Sequence, residues 1–148
     1  MADAAALRAL VGAPPIASDW MRIDQACVDA FADATGDDQW IHVDRERALR
    51  ESPFGGPIAH GFLTLSLIPA LLMRTFAISQ RMGLNYGLNR VRFTSPVPVG
   101  SRVRAQLRAI EARDVESGGV QVTWDVAVVA EGAGKPACIA EFITRHYF

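Results

Sequence analysis

Residues 120–129 read VQVTWDVAVV, and this stretch decides the fold. Val120, Val122, Trp124, Val126 and Val128 fall on one side of an extended chain, with Gln121, Thr123 and Asp125 on the other. A period of two sustained this long is the signature of a strand with one buried face. The same period recurs on both sides. Residues 101–110, SRVRAQLRAI, place Val103, Ala105, Leu107 and Ala109 on one face, LNRVRFTSPV precedes them, and CIAEFITRHYF closes the chain as a last strand. Turn signals at Val99-Gly100, at Ser117-Gly118-Gly119 and from Glu131 to Gly134 separate these segments. Strands joined by short turns form an antiparallel sheet.

Upstream of about residue 84 the period changes. Residues 61–73, GFLTLSLIPALLM, are apolar nearly all round and predict a central helix running from about Gly61 to Gln80, kinked at Pro69. The sheet is the one partner large enough to bury that helix, so the expected class is α+β, a curved antiparallel sheet wrapped around a long helix. Earlier segments are shorter. Residues DWMRI predict a brief strand, Asp24 caps a helix carrying Cys27, Ala30, Phe31 and Ala34 and ended by Gly36, and Asp44 caps a second helix, RERALRE. Residues 37–43, DDQWIHV, between them are expected to be extended or a turn, and residues 52–60, SPFGGPIAH, a loop. One domain over 1–148 is expected, with 1–15 as an N-terminal helical extension capped by Asp3 and stopped at Gly12.

Composition narrows the function classes. The 148 residues carry a net charge of −1, and the arginines are scattered, so there is no basic surplus for nucleic acid. The apolar run at 61–73 is too short to cross a bilayer comfortably, and the N-terminal residues lack the basic region that begins a signal peptide. Cys27 and Cys138 have no metal-like spacing and fit two reduced thiols; a cytoplasmic location is expected. A sheet edge left open invites a second chain, so a dimer is expected.

The chemistry concentrates at residues 36–42, GDDQWIH, where one of only three histidines follows two aspartates. On a helix Asp38 and His42 would share a face; in a turn leading into extended chain Asp37 and His42 converge, and spacing does not choose between the two acids. Either pair offers a carboxylate and an imidazole to one small molecule such as water. A metal site built from His42, Asp44 and His60 lacks HxxxH or CxxC spacing, and a triad through Ser66 lacks a GxSxG elbow. Downstream, AHGFL places Gly61 at the start of the apolar helix, where free backbone N–H groups and the helix dipole can stabilise an oxyanion.

Three blocks, TGDDQWIHVDRERA (35–48), SPFGGPIAHGFLTLSLIPALL (52–72) and NYGLNRVRFTSPVPVGSRVR (85–104), resemble the MaoC-like dehydratase family. Within it they resemble the branch of (R)-specific enoyl-CoA hydratases and nodulation protein N-like proteins, from about Ile23 to the C-terminus. The resemblance implies the hotdog fold and a homodimer. It implies reversible hydration of a trans-2-enoyl-CoA to the (R)-3-hydroxyacyl-CoA, with Asp37 and His42 as the catalytic pair and Gly61 as donor to the thioester carbonyl. Ser66 falls where relatives often carry a supporting polar residue. The sequence departs from many relatives in having Asp38-Gln39-Trp40 rather than an Asn-Pro between the acid and the histidine.

No metal and no cofactor is implied beyond the CoA of the substrate, and an acyl-carrier-protein thioester is an equivalent substrate form. Trp40, Phe54, Phe62 and Leu63 are the candidate walls of the acyl pocket, and Arg90 and Arg92 the candidate contacts for the nucleotide. The competing readings are a hotdog acyl-CoA thioesterase and a non-catalytic hotdog subunit.

Overall fold

The computed structural model describes residues 3–148. Its frame is a six-stranded antiparallel sheet in the order β1 (Ile16–Ala17), β4 (Arg102–Val115), β5 (Gly119–Ala130), β6 (Cys138–Tyr147), β3 (Met82–Phe93), with β2 (Met21–Arg22) also paired to β4. The sheet is open, and among the described residues β3 pairs with β6 alone. The alternation of VQVTWDVAVV is realised in the register: Trp124 lies opposite Ala109 of β4 and Phe142 of β6, and all three side chains are buried. A bulge at Ala109/Glu111 places Ile110 outside the pairing and ends the buried run of β4.

The outer face departs from simple alternation at one end. Gln121 and Thr123, expected at the surface, are buried. The Arg145 Nε donates to Gln121 Oε1 at 2.9 Å, its guanidinium lies 3.5 Å over the Tyr86 ring, and the Thr123 hydroxyl donates to Glu111. Long side chains from neighbouring strands thus roof this patch.

The helical half follows its caps. Asp24 accepts from the Cys27 N–H and opens α2 (Gln25–Thr35), and Gly36 closes it with φ of 76°, a left-handed conformation that glycine adopts without a Cβ penalty. Asp44 accepts from the Arg47 N–H and opens α4 (Arg45–Glu51). The N-terminal helix α1 (Ala4–Ala9) is capped by Asp3 as its sequence predicts.

Two expectations need correction. Residues 40–43, expected to be extended or a turn, form one helical turn, α3 (Trp40–Val43), while residues 36–39 remain non-helical. The central helix is two pieces, α5 (Gly61–Ser66) and α6 (Ile68–Phe76), joined at Leu67. Pro69 takes a first-turn position of α6, where its missing N–H costs nothing, so the chain restarts a helix rather than bending one. It stops at Phe76 because Ala77 turns left-handed, at φ 44° and ψ 54°, short of Gln80.

Ile68, Leu71 and Leu72 form the buried stripe of α6, and Phe76 packs on Trp124 with ring centroids 5.0 Å apart. Replacing a leucine of that stripe by alanine costs about 2–5 kcal/mol at comparable core sites. The wrap is incomplete: Met73 on the same helix is exposed. No helix among the described residues is long and apolar enough to cross a membrane.

Candidate active site

The site forms where three short segments meet: the end of α2 with residues 36–39, the single turn α3, and the loop 52–60 that feeds α5. The loop is stitched to α3 by the Ile58 N–H, which donates to the Ile41 carbonyl at 3.1 Å, and to the strand entry by the Ala59 N–H, which donates to Val97. From α2, the Gln25 amide donates to the His42 carbonyl at 2.8 Å and fixes the turn from the other side. These ties hold His42 in place, its side chain all but buried at 8 % exposure.

The ring of His42 is oriented by the loop. Its Nδ1 lies 2.7 Å from the Ile58 carbonyl oxygen, which can only accept, so Nδ1 carries a proton and donates it there. His60 has the opposite arrangement. Its Nε2 donates to the backbone carbonyl of Asp37 at 2.8 Å, and its Nδ1 is buried without a hydrogen-bond partner. The two imidazoles stack, with centroids 3.9 Å apart, and Phe31 packs against the other side of His60 at 4.9 Å.

One carboxylate oxygen of Asp37 and one ring nitrogen from each of His42 and His60 lie within 4.8 Å of one another. Asp37 is half-buried, whereas Asp38 is exposed, so of the two acids Asp37 stands with the imidazoles. The same three groups are the ones that could hold a metal ion. Asp44, paired with His42 and His60 in the sequence-based metal set, instead spends its carboxylate capping α4.

Gly61 begins α5 directly after His60, and the Thr64 N–H returns to the His60 carbonyl at 3.1 Å. The first-turn N–H groups of α5 have no partner within the helix. A methyl group at residue 61 would lie 2.8 Å from the Phe93 ring, so any side chain here must displace that ring. Phe93 in turn meets Phe62 edge-on, at 5.5 Å. Phe54, Gly61, Thr64, Phe93 and Ser95 are among the residues lining an open groove of about 350 Å³ beside the helix start. Asp37 and His42 do not line it; His60 is the link between them and Gly61.

The remaining candidates are dispersed. The Ser66 hydroxyl is exposed and donates to the Phe62 carbonyl of its own helix at 2.7 Å. Phe62 is largely exposed, Leu63 belongs to the hydrophobic core, and Trp40 is half-buried under the Arg47 guanidinium. Arg90 pairs with Glu141, and Arg92 donates to the Val91 carbonyl. Gln25, Phe93 and the ring of His60 are the positioning groups that sequence reasoning missed. For His60 the adjacency to Gly61 was a usable signal; for Gln25 and Phe93 there was none.

The chain is similar to known proteins over most of its length. The family described as MaoC like domain matches residues 7–131. The chain is 53% identical over 130 residues to 3-hydroxyacyl-thioester dehydratase Z of Mycobacterium tuberculosis, covering 87% of this chain and 85% of that protein. It is 47% identical over 142 residues to nodulation protein N of Rhizobium meliloti, covering 94% and 88%. Among solved structures, the (R)-hydratase from A. caviae involved in PHA biosynthesis superposes with a TM-score of 0.72 at 26% identity, covering 88% of this chain and 94% of that one. A MaoC-like dehydratase from Rhodospirillum rubrum superposes with a TM-score of 0.73 at 21% identity, covering 90% of each chain. The shared architecture is the hotdog fold.

Proposed function

We infer the reaction from one premise: the chain belongs to the family of MaoC-like domains. The hydratase/dehydratase class is supported by the relatives named as dehydratases of 3-hydroxyacyl thioesters and of 3-hydroxybutyryl-CoA. The finer proposal is reversible hydration of a trans-2-enoyl-CoA to the (R)-3-hydroxyacyl-CoA by Asp37 and His42. One observation carries it: the Ile58 carbonyl orients the His42 ring through Nδ1, and a ring nitrogen of His42 lies within 4.8 Å of an Asp37 carboxylate oxygen.

In the hydration direction Asp37 and His42 hold one water. Its oxygen bonds to C3 of the enoyl thioester while the pair takes one of its protons. Electron density moves onto the thioester oxygen, which the Gly61 N–H stabilises. A proton then passes from the pair to C2 as the carbonyl reforms. General acid/base catalysis of this type contributes about 10²- to 10⁴-fold, and one oxyanion donor a further ~10²- to 10³-fold. The steps call on no metal or redox cofactor, and CoA arrives as part of the substrate. The groove beside Gly61, with Phe54 and Phe93 in its walls, is the proposed entry for the thioester.

A homodimer through β3 belongs to the same proposal. Among the described residues the far edge of that strand has no partner, and Met82, Leu84, Tyr86 and Leu88 along it are exposed. The reaction is tested by supplying trans-2-enoyl-CoA and saturated acyl-CoA in parallel. The proposal expects enoyl absorbance to fall and the (R)-3-hydroxy product to form, with no thiol released from the saturated compound. Thiol release without hydration would instead identify a thioesterase, and binding without turnover a non-catalytic subunit.

A further inference from the structure

We propose that His60 is the positioning residue that ties the acid, the base and the helix start together. This rests on the reading of Asp37 and His42 as the reacting pair. Three independent contacts converge on His60. Its Nε2–H holds the backbone carbonyl of Asp37 at 2.8 Å, its ring stacks on His42 at 3.9 Å, and its own carbonyl receives the Thr64 N–H, which sets the first turn of α5 and with it the direction of the Gly61 N–H.

The segment that carries Asp37 needs such a tie. Gly36 closes α2 on the Ala32 carbonyl and the Gln39 carbonyl accepts from the His42 N–H of α3, so Asp37 and Asp38 are the two residues between these helix ends. The Asp37 N–H reaches only the Thr35 hydroxyl, at 3.4 Å. The His60 contact is therefore the short hydrogen bond on Asp37, and it spans 23 residues of sequence. Without it the carboxylate is held only through the two helix ends that flank it, and a misplacement of about 1 Å costs about 10²-fold in rate.

The burial of His60 is not explained by packing alone. It is 2 % exposed, yet Nδ1 has no partner. A buried polar atom left without a hydrogen bond costs stability, and a phenylalanine would fill a slot between Phe31 and His42 without that cost. The histidine keeps a donor at Nε2 where only a donor can hold the Asp37 carbonyl. A ring nitrogen of His60 lies in the same cluster as the reacting groups.

The test compares two side chains of like chemistry and different reach. In His60→Gln an amide N–H extends to the position of Nε2; in His60→Asn it stops at that of Nδ1. With a trans-2-enoyl-CoA, His60→Gln is expected to keep kcat within ~10-fold and His60→Asn to lose ~10²-fold, with KM within ~3-fold in both. Equal kcat values in the two variants, or no loss in either, would overturn the proposal.

A second measurement needs neither turnover nor a variant. The chain has three histidines, so ¹⁵N correlation spectra of the wild-type protein resolve each tautomer. His60 is expected as the Nε2–H form and His42 as the Nδ1–H form. An Nδ1–H tautomer at His60 contradicts the tie to Asp37, whether or not the protein turns over enoyl-CoA. If the tautomers are as expected and enoyl-CoA is not hydrated, the reaction assignment has failed and the positioning contact has not.

Discussion

Two places in this molecule bury histidine, and they differ in how completely the ring nitrogens are used. At the far end of the sheet, the Trp124 indole N–H donates to the Thr144 hydroxyl at 2.8 Å, that hydroxyl donates to His146 Nε2 at 2.7 Å, and His146 Nδ1 donates to Gln80 Oε1 at 2.6 Å. Every polar atom of this chain has a partner, and burial pushes the His146 imidazole down to about 4. At the other place the His60 Nδ1 has no partner among the described residues, and His42, held through Nδ1, clusters with His60 and the Asp37 carboxylate. A satisfied buried network specifies one packing and does little else. Unused lone pairs next to a carboxylate, at a helix start, are what proton transfer requires.

The largest effects separate the two places by activity. Asp37→Asn and His42→Ala are each expected to lower kcat/KM for an enoyl-CoA by about 10³-fold or more. Thermal melting should shift little in the Asp37 variant, whose side chain is half-buried. Next comes Gly61→Ala, expected to lose about 10- to 100-fold as its methyl meets Phe93. Adding Phe93→Ala to that variant should return part of the loss, and no recovery would show that the ring is not what the methyl meets.

At His146 the order of effects reverses. His146→Asn should keep kcat/KM within ~3-fold and lose about 2 kcal/mol of stability at pH 7. The wild-type pH dependence has a definite sign. The folded imidazole titrates near 4 and the unfolded one near 6.5, so the unfolded chain binds the extra proton between those values. The stability this provides is present above about pH 6.5 and is lost as pH falls toward 4, about 2 kcal/mol of it by pH 5. Denaturant titrations at the two pH values measure it, and His146→Asn should remove that component. The smallest effect is expected at Ser66, whose hydroxyl bonds its own helix; Ser66→Ala should change kcat by less than ~3-fold.

Much of the fold was legible because its signals are local. The alternation at 120–129 marks a buried strand face, and Asp24, Gly36 and Asp44 mark helix ends through contacts three or four residues away. What escaped depends on distant partners. Strand β1 is two residues, too short for any period, and exists because β4 offers an edge, whereas β2 falls within the brief strand predicted at DWMRI. The turn Trp40–Val43 is fixed by Gln25 and Ile58, and the break at Leu67 by how Pro69 enters α6.

The acid at the site shows the same limit. Spacing left Asp37 and Asp38 open, and the resemblance pointed to Asp37. The distinction is physical only in three dimensions, where Asp37 stands within the histidine cluster and Asp38 is exposed. Ser66, Leu63, Arg90 and Arg92 had the right chemistry in sequence, but their side chains are committed to the helix backbone, the core, Glu141 and the Val91 carbonyl.

The central claim is that Asp37 and His42 add water across the double bond of an enoyl thioester. The most direct measurement follows the enoyl absorbance of crotonyl-CoA with wild-type protein, Asp37→Asn and His42→Ala, with chiral analysis of the product. The account predicts rapid loss of absorbance and (R)-3-hydroxybutyryl-CoA with the wild type, and turnover near background in both variants. Wild-type rates in both variants would contradict it.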